Sequence, residues 1–211
     1  MRSLPPRLLS FADGRLQGTL AKVHSMGMPA TQRWTAEMLR ALPDDGKRYE
    51  IVRGELLVTP SPSWTHQLAV KRLLVQLDTY LRSTRRAEVF DAPADVELET
   101  DSVVQPDVFV VPRVDGRTPR RWQDAGRLLL AVEILSPSSA RGDRIVKRRL
   151  YQEHDVAEYW IVDLDARFFE RWRPVDERPE IITERLEWRD VPDVAPFVIE
   201  LQPYFAEVLE G

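Results

Sequence analysis

The stretch that decides the fold is Leu128–Ser139, LLLAVEILSPSS, in which an apolar run ends in a loop rich in serine and proline. Such a run is typical of a central strand that is covered on both faces of its sheet. Glu133 lies in the middle of the run, and an ionised carboxylate there is costly unless something pairs with it or coordinates it. Three fates are open for this side chain: it is protonated, it pairs with Arg or Lys, or it binds a metal ion.

On both sides of this strand, helical and strand patterns follow one another. Apolar spacing or capping signals predict helices at 31–42, with a cap at Thr31, at 64–83, at 142–154 and after Pro203. A hairpin is predicted across Arg53-Gly54, and further strands at 87–99, 103–111, 127–135, 157–163, 167–174, 180–188 and 197–202. An acidic turn around Thr100 and Asp101 joins the first two of these strands. The pattern favours an α/β (α+β) domain, a mixed β-sheet flanked by helices.

Size and composition exclude several classes of protein. The 211 residues are enough for one sizeable domain or at most two small ones, and the net charge of −4 argues against nucleic-acid binding through overall charge alone. The sequence contains no cysteine, which excludes disulfides, thiolate metal sites and cysteine nucleophiles and fits a reducing cytoplasm. No run of about 18 apolar residues occurs, so no membrane span is predicted.

The first part of the chain differs from the rest. Residues 1–28 carry Pro and Gly with little periodicity and are predicted to form a poorly ordered tail, which leaves 29–211 as one domain. This segment lacks the apolar core and cleavage site of a secretory signal. Met26 or Met28 is a candidate for the natural start.

Asp107 is a second carboxylate in a similar setting. It follows Pro106 directly and opens the apolar run VFVV, so it either caps a turn or faces a site. If its strand pairs with the strand of Glu133, the two carboxylates meet at one edge of the sheet. Two carboxylates repel each other unless a cation lies between them, and hard oxygen ligands suit Mg²⁺ or Mn²⁺.

The helix predicted after Glu133 adds a cation. Asp143, Lys147, Tyr151 and His154 follow near-helical spacing, which predicts that they share one face. A lysine beside a metal-bound phosphate can neutralise developing charge or orient the attacking water. The alternative for Lys147 is an ordinary surface lysine supported by Asp143.

Five segments carry a resemblance to a known family, in this order from about residue 30 to the C-terminus: RYEIVRGELLVTPSPSWTH, PDVFVV, VEILSPSS, GDRIVKRRLY and AEYWIVD. They resemble the Uma-two family of endonucleases, a branch of the PD-(D/E)XK restriction-endonuclease-like nucleases. The resemblance implies a restriction-endonuclease-like core and a metal-dependent endonuclease that hydrolyses phosphodiester bonds of nucleic acid, with DNA expected. The resemblance also suggests a homodimer, because nucleases of this fold often work as dimers to cut two strands.

The same resemblance assigns roles to individual residues. Asp107 and Glu133 would hold Mg²⁺ or Mn²⁺. The superfamily pattern has a lysine two residues after the acidic residue, where this chain has Leu135, and the Uma-like branch takes its lysine from the following helix, here Lys147. Glu50 and His66 match family positions near the site. Their alternatives are a strand-end surface carboxylate for Glu50 and a hydrogen-bonded core histidine for His66.

Basic residues would hold the nucleic-acid backbone, and the candidates lie in two clusters: Arg120 and Arg121, and Arg144 and Arg148. Solvated surface is the alternative for such charge runs. Phosphate-binding glycine loops, zinc spacing among the three histidines and a serine nucleophile elbow do not occur in the sequence.

Two other function classes stay open. One is a catalytically inactive module that keeps the fold and binds nucleic acid or protein. The other is a purely structural oligomer component, in which an arginine pairs with both Asp107 and Glu133 in place of a metal.

Overall fold

The computed structural model of the chain describes residues 33–43, 45–137, 139–190 and 193–210. The predicted tail over 1–28, with Met26 and Met28, lies outside these residues. No helix among them is long and apolar enough to cross a membrane.

Helices and strands alternate along the described part of the chain. The helices are α1 (Ala36–Arg40), α2 (Trp64–Thr84), α3 (Trp122–Ala125), α4 (Arg148–Glu153) and α5 (Leu201–Leu209), and a π-helical turn, Gly142–Lys147, leads directly into α4. The strands are β1 (Arg48–Val52), β2 (Glu55–Thr59), β3 (Ala87–Asp91), β4 (Val96–Glu99), β5 (Ser102–Val104), β6 (Val108–Pro112), β7 (Leu130–Ile134), β8 (Glu158–Asp163), β9 (Phe168–Trp172), β10 (Glu180–Ile182), β11 (Arg185–Trp188) and β12 (Phe197–Glu200).

The β7 strand lies inside a six-stranded sheet of order β10-β9-β8-β7-β6-β3. All five of its residues are buried, as predicted for a central strand. It pairs parallel with β8 and antiparallel with β6, so the sheet is mixed. Side chains alternate between faces, so Leu130 and Val132 pack in the core formed with α2 and α5, whereas Ala131 packs with Tyr159 on the opposite face.

A four-stranded sheet of order β2-β1-β5-β4 forms the second layer. Its β1–β2 hairpin confirms the hairpin predicted across Arg53-Gly54. Both turn residues have positive φ, 53° at Arg53 and 80° at Gly54, which is the two-residue turn that matches the twist of the paired strands. The hairpin places Arg48 and Glu50 on β1, two residues apart and therefore on one side of the strand.

The two strands predicted at 87–99 and 103–111 are each divided between the sheets. β3 and β6 pair in the six-stranded sheet, and β4 and β5 pair in the four-stranded sheet. Prolines 93 and 106 lie at the breaks, because a residue without an N–H cannot continue a ladder. The predicted turn at Thr100 and Asp101 is confirmed, since it joins β4 to β5. The segment 180–188 is likewise divided, into β10 and β11.

Three helix boundaries differ from the sequence prediction. α1 begins at Ala36, where the Thr35 side chain accepts a hydrogen bond from the Met38 N–H, so the predicted helix does not include residues 33–35. The cap predicted at Thr31 lies outside the described residues. α5 begins at Leu201 and holds Pro203 in its first turn, where an N–H has no intrahelical partner. The helix predicted at 142–154 opens with the π-helical turn. The predicted architecture itself, a mixed sheet flanked by helices, is confirmed.

Candidate active site

The two carboxylates singled out in the sequence meet at adjacent strand ends. β6 and β7 pair with Val108 opposite Val132, and one step further along this register Asp107 faces Glu133. Both side chains are buried. The Oδ2 atom of Asp107 also accepts a hydrogen bond from the Ile134 N–H, 2.8 Å away, which fixes the carboxylate against β7.

Lys147 reaches this pair from the π-helical turn. Its Nζ lies 2.9 Å from Glu133 Oε1 and 2.9 Å from Glu50 Oε2. Asp143, one turn earlier, lies 3.6 Å from the same nitrogen. The lysine therefore sits among three carboxylates, whereas Leu135, at the position where the superfamily pattern has its lysine, lines the cleft with an apolar side chain.

Arg48 is the member of the site that sequence reasoning missed. Its Nη1 lies 2.7 Å from Asp107 Oδ1, and its Nη2 lies 3.7 Å from Glu133 Oε2 and 3.8 Å from Glu50 Oε1. The same Nη2 donates to the Gln105 carbonyl. A signal was present in the sequence, because strand periodicity puts Arg48 on the same side of β1 as Glu50.

His66 and Glu50 hold the cluster from two further elements. His66 lies in the first turn of α2, its N–H donates to the capping Ser63 Oγ at 3.1 Å, and its Nε2 lies 3.1 Å from Asp107 Oδ2. Glu50 Oε1 accepts from the Gln105 N–H at 2.7 Å. Both side chains are therefore part of the polar cluster: Glu50 is buried and not a surface carboxylate, and His66 is a buried, hydrogen-bonded histidine whose partner is Asp107.

Most of the predicted helical face enters the site. Tyr151 donates its hydroxyl to Glu133 Oε1 at 3.2 Å, and Asp143 is buried beside Lys147. His154 does not join them: it ends α4, and its Nε2 lies 3.3 Å from Glu99. The predicted shared face is therefore confirmed for Asp143, Lys147 and Tyr151 and wrong for His154.

A cleft of about 780 Å³ is lined by seven residues of the cluster: Arg48, Glu50, His66, Asp107, Glu133, Asp143 and Lys147. Its charged walls carry three more acidic than basic side chains among the described residues. The acidic ones are Glu50, Asp107, Glu133, Asp143, Asp163 and Asp165, and the basic ones are Arg48, Arg144 and Lys147. A cleft of this charge attracts cations and repels an unaccompanied phosphate.

Comparison with known proteins places the chain in a family. The Uma2 family model, described as "Putative restriction endonuclease", matches residues 36–203. The chain belongs to the Uma2 family. A crystal structure of "a putative nuclease belonging to DUF820" from Anabaena variabilis superposes with a TM-score of 0.63 at 21% identity, covering 83% of this chain and 99% of that one. At this identity the likeness shows the fold. No curated protein matches the chain.

Protonation equilibria in this Uma2 site follow from burial and from the two cations. Burial would raise the pKa of Asp107, but the hydrogen bond with His66 and the charge of Arg48 outweigh it, so that pKa lies well below its ordinary value. Burial and the neighbouring carboxylates raise the pKa of Glu133 well above its ordinary value, although Lys147 opposes them. The pKa of Lys147 is raised by the carboxylates around it despite its burial, so its amine stays protonated.

The donor set of the Uma2 site suits a hard divalent cation. Asp107 and Glu133 offer carboxylate oxygens, and Mg²⁺ is commonly bound through one or two carboxylates with water completing its shell. Glu133 Oε2 has no hydrogen-bond donor among the described residues, only Arg48 at 3.7 Å. No group of three or more His, Asp or Glu side chains in that part of the chain could hold an ion by itself. Arg48 and Lys147 lie between the carboxylates instead.

The arginines predicted to hold nucleic acid occupy different places. Arg144 lines the cleft, but Asp163 and Glu170 pair with its guanidinium at 2.8 and 2.6 Å. Arg148 stacks over the Trp172 ring, 4.6 Å from its centroid.

Arg120 and Arg121 lie beside a second, smaller cavity of about 220 Å³, and Arg121 pairs with Asp124. Of the four predicted arginines, one therefore borders the cleft in the described structure.

Proposed function

We propose that this Uma2 member is a metal-dependent endonuclease that hydrolyses phosphodiester bonds of nucleic acid, with DNA as its substrate. The observation that carries the proposal is the position of Lys147, whose ammonium lies 2.9 Å from Glu133. In the superfamily pattern this lysine comes two residues after the acidic residue, whereas Lys147 comes from the π-helical turn. A buried Lys in contact with Glu50 and Glu133, inside an open cleft, can stabilise the charge that develops when a phosphodiester is hydrolysed. Family membership and the fold of the Anabaena variabilis protein support the same class of activity.

Asp107 and Glu133 would hold Mg²⁺ or Mn²⁺ in this mechanism. When bound, such an ion supplies charge stabilisation at the phosphate and makes water a stronger nucleophile. The residues of the chain then do three things. His66 and the Ile134 N–H keep the Asp107 carboxylate oriented, and Lys147 holds the attacking water and stabilises the negative charge that grows on the phosphate oxygens.

One observation favours the structural alternative. Arg48 contacts Asp107 at 2.7 Å and approaches Glu133 to 3.7 Å, which is the pairing expected if the carboxylates only stabilise the fold. Two features weigh against that role. The pair lines an open cleft, and acidic side chains of the cleft outnumber basic ones by three with Arg48, Arg144 and Lys147 counted. A structural ion pair needs neither of them.

The proposal extends to location and assembly. A cysteine-free sequence fits a reducing compartment, so we place the protein in the cytoplasm. We also propose a homodimer, which would bring the cleft of each chain to one strand of a duplex.

The experiment that tests the activity uses supercoiled plasmid and short labelled DNA and RNA strands, each with Mn²⁺, Mg²⁺ or EDTA. The proposal expects cleavage that requires the divalent ion and disappears in Asp107→Ala and Glu133→Ala. Cleavage that persists in both variants would contradict the assignment of the site. Comparison of the DNA and RNA strands decides the substrate class.

A further inference from the structure

Arg48 has an unusual position for an arginine at the mouth of a cleft. One guanidinium lies within 4 Å of three carboxylates, those of Glu50, Asp107 and Glu133. Asp107 and Glu133 are also the two carboxylates that the proposed function assigns to a divalent cation. A guanidinium and a metal ion cannot occupy the same place between two carboxylates.

The two cations of the cluster differ in how easily they could leave it. The side chain of Lys147 is 5% exposed and is enclosed by carboxylates, whereas that of Arg48 is 20% exposed and borders the cleft. The Nε of Arg48 is buried and has no hydrogen-bond partner among the described residues, so the guanidinium has a donor to spare. Arg48 is therefore the cation that can move towards the cleft, and its planar fork suits a phosphate.

We propose that Arg48 is a resident counter-ion, which holds Asp107 and Glu133 together before metal binds and is displaced from them when metal enters. The released guanidinium then faces the cleft and holds a phosphate of the substrate. This inference rests on the proposed function and assigns the chain a metal-responsive positioning residue. It also explains why an arginine lies between two carboxylates whose oxygens suit a divalent ion.

The test is calorimetric titration of Mn²⁺ into the wild-type chain and into Arg48→Met, Arg48→Lys and Arg113→Met. Arg113 is the matched control, because it too is a partly buried arginine with an unpartnered Nε and a carboxylate 2.7 Å away, but it lies outside the cleft. Thermal unfolding in EDTA and in Mn²⁺ accompanies each titration. A variant that unfolds easily without metal can then still be assessed with it.

Displacement predicts that Arg48→Met binds Mn²⁺ roughly tenfold tighter than wild type, the change expected when one charge-assisted contact no longer has to be broken. Arg48→Lys keeps the charge but cannot bridge two carboxylates, so its affinity for Mn²⁺ should lie between those of wild type and Arg48→Met. Arg113→Met should match wild type. In EDTA, Arg48→Met should have the lowest midpoint of unfolding and the largest gain on addition of Mn²⁺.

The outcomes separate this inference from the function on which it rests. Wild-type chain that binds Mn²⁺ while Arg48→Met binds it no tighter would overturn the counter-ion role and leave the nuclease proposal intact. Arg48→Lys with wild-type affinity would show that charge alone, without bridging, sets the affinity, which also overturns displacement. Absence of Mn²⁺ binding in every variant would contradict both proposals.

Discussion

Lys147 and Arg48 show at the scale of single residues what the sequence could and could not predict. Lys147 was found because helical spacing and family resemblance pointed to the same position. Strand periodicity puts Arg48 on the same side of β1 as Glu50, but it does not identify the partner of Arg48, a carboxylate 59 residues later, just before β6. Long-range pairing of this kind depends on strand order, which the sequence pattern does not contain.

Substitution of Lys147 by Met should affect both activity and stability. Removing one partner of a buried ion pair leaves the carboxylates without their cation and costs about 3–5 kcal/mol in the free energy of unfolding. Nuclease activity should fall by about 10²–10³-fold, the usual loss when a group that stabilises transition-state charge is removed. Urea denaturation and a cleavage assay measure the two effects.

The control for this change is Lys71→Met on the exposed side of α2, which should alter the free energy of unfolding by less than about 0.5 kcal/mol. A Lys147→Met chain that unfolds at the same urea concentration as wild type would contradict the buried-cluster account.

At the scale of elements, the N-terminus of α2 and the π-helical turn position the site. The helix pattern at 64–83 was clear from apolar spacing, and the observed α2 spans Trp64–Thr84. The π-helical turn was not predicted, because the spacing of 142–154 was interpreted as an ordinary α-helix. Asp143 and Lys147 are both buried within this turn, whereas His154, at the end of α4, lies 3.3 Å from Glu99.

The first residue of α2 offers a test of nucleic-acid binding. Trp64 is 92% exposed, and its neighbours Ser63 and Thr65 line the cleft. An exposed indole at this place can stack on a base, and such contacts contribute about 1–3 kcal/mol per base. Trp64→Ala should therefore weaken binding of a labelled oligonucleotide about tenfold in fluorescence anisotropy, with Trp64→Phe close to wild type.

Val75→Ala provides the comparison, because Val75 is an exposed apolar residue of the same helix outside the cleft. Equal loss of affinity in both alanine variants would show that Trp64 has no special contact with nucleic acid.

At the scale of the whole molecule, the sequence predicted the mixed architecture and the central position of β7. It did not predict that 87–99 and 103–111 would each contribute to two sheets, because periodicity identifies strands but not the sheet to which they belong. That division matters for the site: β5 ends and β6 begins around Pro106, so Gln105 lies beside Glu50 while Asp107 faces Glu133.

The charge balance of the fold gives a prediction away from the site. Burial raises the pKa of Glu158 above its ordinary value of 4.5, although Trp160 donates a hydrogen bond to it and Arg171 and Arg173 lie nearby. The native state therefore binds this proton more tightly than the unfolded chain, and the contribution to stability is lost as pH rises through the raised pKa.

Glu158→Gln keeps the acceptor for Trp160 and removes the buried charge. It should raise the free energy of unfolding by up to about 1 kcal/mol at pH 7, and this gain should vanish well below pH 4.5, where the acid is protonated in both states. Urea denaturation at several pH values measures the effect. Destabilisation at pH 7 would mean that the arginine contacts outweigh the cost of burial.

The most direct test of the central claim is the rate of cleavage of a labelled oligonucleotide over a Mn²⁺ titration, in wild type, Glu133→Gln and the control Glu158→Gln. The account predicts that the wild-type rate rises and saturates with Mn²⁺, that Glu158→Gln follows it, and that Glu133→Gln is slower by about 10³-fold or more, because several kcal/mol of charge stabilisation are lost. Cleavage by Glu133→Gln at the wild-type rate, or a wild-type rate that does not depend on Mn²⁺, would contradict the metal-dependent site.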